Sequence, residues 1–177
     1  GPSEVSIVAD KSADPNLVAA DLIAQAEHDV NAQSILITNN KNLIRLVNLS
    51  LKKQLIKLPK RKIASKSLKN FGLAILTESK KRTLDIINTI APEHLELCTN
   101  YNREIITGVK NAGSIFLGKY SPEAIGDYVA GPNHVLPTSG SARFSSGLSV
   151  NDFLKRHSLI KITKTGIERL GPSVINL

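Results

Sequence analysis

Apolar residues in this chain gather into short unbroken runs, separated by stretches in which they recur about every fourth position. Val5–Ala9, Ser34–Thr38, Phe71–Leu76 and Ser114–Leu117 are such runs, and each reads as a strand. They do not alternate polar with apolar, as expected of strands buried on both faces. Between the first two, Asp14-Pro15 supplies an N-cap and a proline at the first helical position. The spacing of Val18, Leu22 and Ala26 predicts a helix from Pro15 to about His28. Leu43, Val47, Leu51 and Leu55 line a second helix that Pro59 ends. A third spans Lys80–Ile90, with Leu84, Ile87 and Ala91 inward, and Pro92 interrupts it. Glu93 to Leu97 reads as a short turn, and Ser158 to Lys164 as a further strand before a helix from Thr165. Strands alternating with helices predict an α/β fold, a Rossmann-like but incomplete parallel sheet with helices on both faces. Residues 1–150 are expected to form it. Residues 151–177 are expected to begin a C-terminal segment that is cut short.

Composition narrows the class. The chain has 177 residues, 41% of them hydrophobic, enough for a substantial core. The single cysteine, Cys98, excludes an internal disulfide and a thiolate-only metal site. It reads as a packed, inert thiol. No apolar run approaches the roughly 18–20 residues of a membrane span. With no signal-like N-terminus, a cytoplasmic setting is expected. Lys plus Arg exceeds Asp plus Glu by 23 − 15 = 8. Eight cations fall between Lys52 and Lys69, on what reads as a helix end and loop. A nucleic-acid binder would use such a run against phosphates, but it carries no aromatic residue for stacking, and a solvated surface explains it better.

Three strings could carry chemistry. Gln25 and His28 are three apart near the end of the first helix, hence on one face, with Asp21 one turn earlier. They suit a metal, or equally a polar helix end with His28 on the helix dipole. Glu93 and His94 follow Pro92 and could divide acid and base duties, or merely open a helix. Asp127 and His134 lie in a Gly- and Pro-rich stretch from Gly118 to Ser149, beyond a strand where α/β folds place sites, or in ordinary turns. The glycines and serines from Gly140 to Gly147, with Arg143, could cradle an anion but are more often a plain loop. His157 has no partner string and reads as a surface residue.

Taken together the strings resemble the histidinol dehydrogenase family. They include Ala24-Gln-Ala-Glu-His-Asp29, Ala91-Pro-Glu-His-Leu-Glu96, Asn111-Ala-Gly113 and Tyr120-Ser-Pro-Glu123. The longest are Gly126-Asp-Tyr-Val-Ala-Gly-Pro-Asn-His-Val-Leu-Pro-Thr138 and Arg143-Phe-Ser-Ser-Gly-Leu-Ser149. The resemblance runs along nearly the whole chain and is weakest from Lys41 to Leu68. It implies oxidation of L-histidinol to L-histidine in two steps, with NAD and Zn2+. It implies Gln25, His28 and Asp127 as zinc ligands and Ser3, Gln25, His28, His94 and Asp127 as substrate contacts. It implies Glu93 and His94 as the general bases. The family enzyme is more than twice this length. The resemblance therefore places the NAD contacts in an absent N-terminal half. It places the last zinc ligand on a C-terminal tail from the partner of a homodimer. The isolated chain is then expected to be inactive. The second reading is a non-catalytic scaffold that binds an anionic partner through residues 52–69.

Overall fold

The computed structural model describes residues 2–176. Its center is a five-stranded, wholly parallel sheet of β1 (Glu4–Ala9), β2 (Gln33–Thr38), β3 (Gly72–Leu76), β4 (His94–Cys98) and β5 (Ser114–Leu117). The strand order is β3-β2-β1-β4-β5, so the chain reverses direction across the sheet between β1 and β4. The α/β reading of the sequence holds.

Local chemistry explains most of the helices. Asp14 caps α1 (Pro15–Ala26) by accepting from the Asn16 N–H. Asn40 caps α2 (Lys41–Lys57) through the Asn42 and Leu43 N–H groups. Ser79 caps α4 (Lys80–Ile90), which ends on Ala91 at φ 52. Val5, Ile7, Ala9 and Leu36 pack on Val18, Leu22, Leu43 and Val47 of α1 and α2. The opposite sheet face buries Val8, Ile35, Ile37, Leu95 and Leu97 against Ile87 of α4 and Ile105 of α5 (Asn102–Ile106).

Three expectations are corrected. The basic segment is not a loop. After two turn residues it continues as α3 (Arg61–Phe71), which passes directly into β3, so Phe71 ends a helix rather than starting a strand. Glu93 to Leu97 is not a turn, because His94–Cys98 forms β4 in the middle of the sheet. Its polar residues, His94 and Glu96, face one side and Leu95 and Leu97 the other, the two-residue period of a strand. Ser158 to Lys164 is not a strand: residues 158–163 are irregular and exposed, and Lys164 opens α7 (Lys164–Ile175). From Phe144 to Asn176 no residue is buried, and α7 buries none of its side chains.

Candidate active site at the amino end of the sheet

Parallel pairing sets β1 beside β4 with Val5 opposite His94. The first residues of both strands therefore meet at the amino end of the sheet. The Glu4 N–H donates to Glu93 Oε2 at 3.0 Å, and the Glu4 carbonyl lies 2.9 Å from His94 Nδ1. A carbonyl only accepts, so Nδ1 carries the His94 proton and Nε2 keeps its lone pair. His94 is 2% exposed, and burial pushes its pKa down to about 4, so the ring is neutral at neutral pH. Burial raises Glu93 to about 7 despite the Glu4 N–H, and the charges of Glu4 and Asp127 add to the rise.

Two helices bring further groups to this end. α1 runs against the strand direction, so its last turn delivers the fully buried Gln25, with His28 two residues beyond the helix. The short α6 (Glu123–Tyr128) lies close on β5, where a Cβ on Gly126 would come within 2.7 Å of the Phe116 ring. The Gln25 amide nitrogen donates to both Glu123 carboxyl oxygens, at 2.8 and 2.9 Å, which leaves its oxygen as the lone-pair donor. Ligand atoms of His28, Glu123 and Asp127 lie within 4.8 Å of one another, as do those of His94, Asp127 and His134. His134 Nε2 lies 2.8 Å from His94 Nε2 and pairs with Asp127 Oδ1, an oxygen without a well-aligned hydrogen bond. His94 holds its own proton on Nδ1, so His134 supplies the proton between the two rings. Burial, with the charges of Asp127, Glu96, Glu93 and Asp21, raises Glu123 to about 9. Gly113 closes this end, since a Cβ there would stand 2.6 Å from the Glu93 carbonyl oxygen.

The structure thus gathers Glu93, His94, Gln25, His28 and Asp127 at one end of the sheet. Ser3 lies just outside this group, in a shallow depression that it shares with His28. Asp127 is on a helix, and the cluster sits at the amino ends of the strands, opposite to the usual position in α/β sheets. Because Glu93 precedes a strand and not a helix, the helix-opening reading of that string falls away. Sequence reasoning passed over Glu4 and Glu123, since nothing in their local spacing marks them. His134 was weighed there but given no role. In the Gly140–Gly147 loop the Arg143 guanidinium donates to the Gly140 and Thr89 carbonyls. Cys98 is pushed up to about 12, by burial first and then by Glu96, Asp21 and Asp10, so it stays a thiol. All eight cations between Lys52 and Lys69 are exposed, and among the described residues none forms an ion pair.

The histidinol dehydrogenase family model matches residues 1–177. The chain belongs to the histidinol dehydrogenase family. It is 54% identical over 177 residues to histidinol dehydrogenase of Pelagibacter ubique and 49% identical to that of Clostridium acetobutylicum. In both comparisons the whole chain is covered, but only 41% of the relative. The chain therefore spans about two fifths of the length of these relatives. The crystal structure of histidinol dehydrogenase from Elizabethkingia anophelis superposes with a TM-score of 0.91 at 41% identity, covering 99% of this chain and 40% of that one. The fold is thus shared with a histidinol dehydrogenase. Among the described residues no helix is long and apolar enough to cross a membrane.

Proposed function

We propose that this chain carries the zinc- and substrate-binding part of an NAD-dependent enzyme that oxidises L-histidinol to L-histidine. The observation that carries the reading is the convergence described above. A neutral histidine whose Nε2 accepts only from His134 and a carboxyl poised near pH 7 stand beside nitrogen and oxygen donors. That donor set suits zinc, which takes imidazole and carboxylate ligands readily. Burial raises Glu123 first and the surrounding negative charges add to it, and a bound cation would relieve the second. Gln25, His28 and Asp127 would hold the ion, which would bind substrate nitrogen and polarise the reacting oxygen. NAD would accept the hydride in each oxidation, and its contacts are proposed to lie outside these residues.

The roles of the chain's own groups follow from their protonation. The Glu4 carbonyl fixes the His94 tautomer, so His94 Nε2 takes the alcohol proton in the first oxidation once the substrate hydroxyl replaces His134 as its partner. Glu93, with its raised pKa, takes a proton from the water that adds to the aldehyde. Ser3, Gln25, His28 and Asp127 orient the substrate. The remaining zinc ligand is proposed to come from the tail of a partner subunit in a cytoplasmic homodimer.

The test is a hybrid enzyme in which these 177 residues replace the matching segment of the Pelagibacter relative. The hybrid should reduce NAD with L-histidinol in a zinc-dependent way, and the 177-residue chain alone should not. An inactive but folded hybrid would sink the reading, and turnover by the isolated chain would sink the division of labour.

A further inference from the structure

Asp21 and Glu96 have no part in the chemistry proposed above. Asp21 sits half-buried on α1, one turn before Gln25. Glu96 is 1% exposed on β4, two residues after His94 and on the same face of the strand. Both line the same narrow crevice, and their carboxyl groups stand close enough to share a hydrogen bond. Two carboxylates cannot make that bond, so the pair holds a proton. Glu96 Oε1 also accepts the Glu123 backbone N–H at 3.0 Å. That leaves the other Glu96 oxygen for the bond with Asp21. Burial raises both carboxyls, and the Asp21 charge adds to the rise at Glu96, so the pair keeps one shared proton at neutral pH.

One buried carboxyl therefore ties α1 to the first residue of α6. No side chain caps α6 at Pro122, so its start relies on this contact from β4. The pair borders only a narrow crevice of about 10 Å³ beside Leu17, Cys98 and Lys119, room for about one water. Bulk solvent has little access to compete for these bonds.

The geometry points to the Glu96 carboxyl, held by Asp21, as the positioning group that sets Glu123 and Asp127 of α6 against Gln25 and His28 of α1. The tie is a property of the fold, and what it positions rests on the zinc and substrate reading. Glu96→Gln preserves both bonds, because its carbonyl accepts from Glu123 and its NH2 donates to Asp21. Glu96→Leu makes neither.

The experiment compares both variants in the 15N-labelled 177-residue chain, by amide spectra, hydrogen exchange and zinc titration. In Glu96→Gln the amide signals of residues 123–128 should stay in place and zinc affinity should stay within about threefold. In Glu96→Leu those signals should move and the Glu123 amide should exchange at least about tenfold faster. Zinc should bind about 10–100-fold more weakly, the usual loss when an outer partner of a metal site is removed, while β1 and β2 signals hold. If Glu96→Leu fails to fold, Asp21→Leu removes the partner that shares a proton with Glu96 and should loosen α6 in the same way. Unmoved α6 signals in the leucine variant, or equal movement in the glutamine variant, would overturn the role. If the native chain binds no zinc but the amides follow the expected pattern, the positioning role stands and the zinc reading fails for this chain.

Discussion

The two ends of the β1–β4 pair treat buried acid in opposite ways. At the carboxyl end Asp10 is 5% exposed and accepts from the Ser12 N–H and hydroxyl and from the Asn100 N–H. Burial opposes its ionisation, but these donors outweigh burial and hold the carboxyl below its ordinary value. At the amino end Glu4, Glu93 and Glu123 are similarly buried, at 8%, 7% and 5%. Each receives fewer donors than Asp10: Glu93 has one backbone N–H, Glu4 has the Ser139 N–H on Oε1 and no partner on Oε2, and Glu123 has only the Gln25 amide. Burial wins, and all three pKa values rise. Burial alone therefore does not mark a functional acid in this fold. The supply of hydrogen-bond donors decides whether a carboxyl is part of the framework or is left for a ligand. The crevice where the strand order reverses is spent on structure, and the unmet charge lies at the other end.

The contrast breaks most easily through activity. In the hybrid enzyme His94→Asn should lower kcat by about 10²–10⁴-fold, the usual range for a lost general base. Asp10→Asn at the opposite end should leave kcat within about twofold. Comparable losses from the two, measured by NADH formation, would erase the distinction.

Stability against pH gives a smaller effect. Burial raises Glu93 to about 7 and Glu123 to about 9, above the ordinary 4.5, and raises Glu96 as well. Their contribution is complete below pH 4.5 and is lost as pH rises through 7 and on toward 9. His94, depressed from 6.5 to about 4, contributes fully above pH 6.5 and loses its contribution as pH falls toward 4. Above pH 6.5 only the carboxyl loss remains. Urea unfolding of the metal-free chain should show about 2–4 kcal/mol less stability at pH 8.5 than at pH 6.5. Glu93→Gln, Glu96→Gln and Glu123→Gln combined should flatten that slope. Asp10, lowered from 3.8, should reveal itself only in acid below that value. The smallest expected change comes from neither end. Lys66→Ala, on the solvated face of α3, should shift stability by less than about 0.5 kcal/mol and leave zinc binding unchanged.

Four of the five strands were legible because Val, Ile and Leu cluster in them, although the expected burial on both faces holds among these only for β1 and β2, and the edge strands β3 and β5 are largely exposed. β4 was not, because His94 and Glu96 place polar groups on one of its buried faces, and Pro92-Glu93 imitates the start of a turn. α3 was hidden by its charge, since a helix whose outer face is all cations reads as a loop. Ser158–Lys164 has β-branched residues but no neighbouring strand to accept its backbone bonds, so composition misled there. Of the site, the three-residue spacing of Gln25 and His28 was visible, as was the Glu93-His94 pair.

The amino-acid order by itself determined most of the alternation of elements, the cap at Asp14, and the family to which the chain belongs. Those are local patterns, or long strings read in order. Only the tertiary structure decided that Glu4, Glu93, His94, Glu123, Asp127 and His134 meet. They lie as many as 130 positions apart, between Glu4 and His134, and parallel pairing of β1 with β4 joins them. The same packing removed water from these groups, which is what moved their proton affinities and made an acid-rich end out of residues unremarkable in sequence.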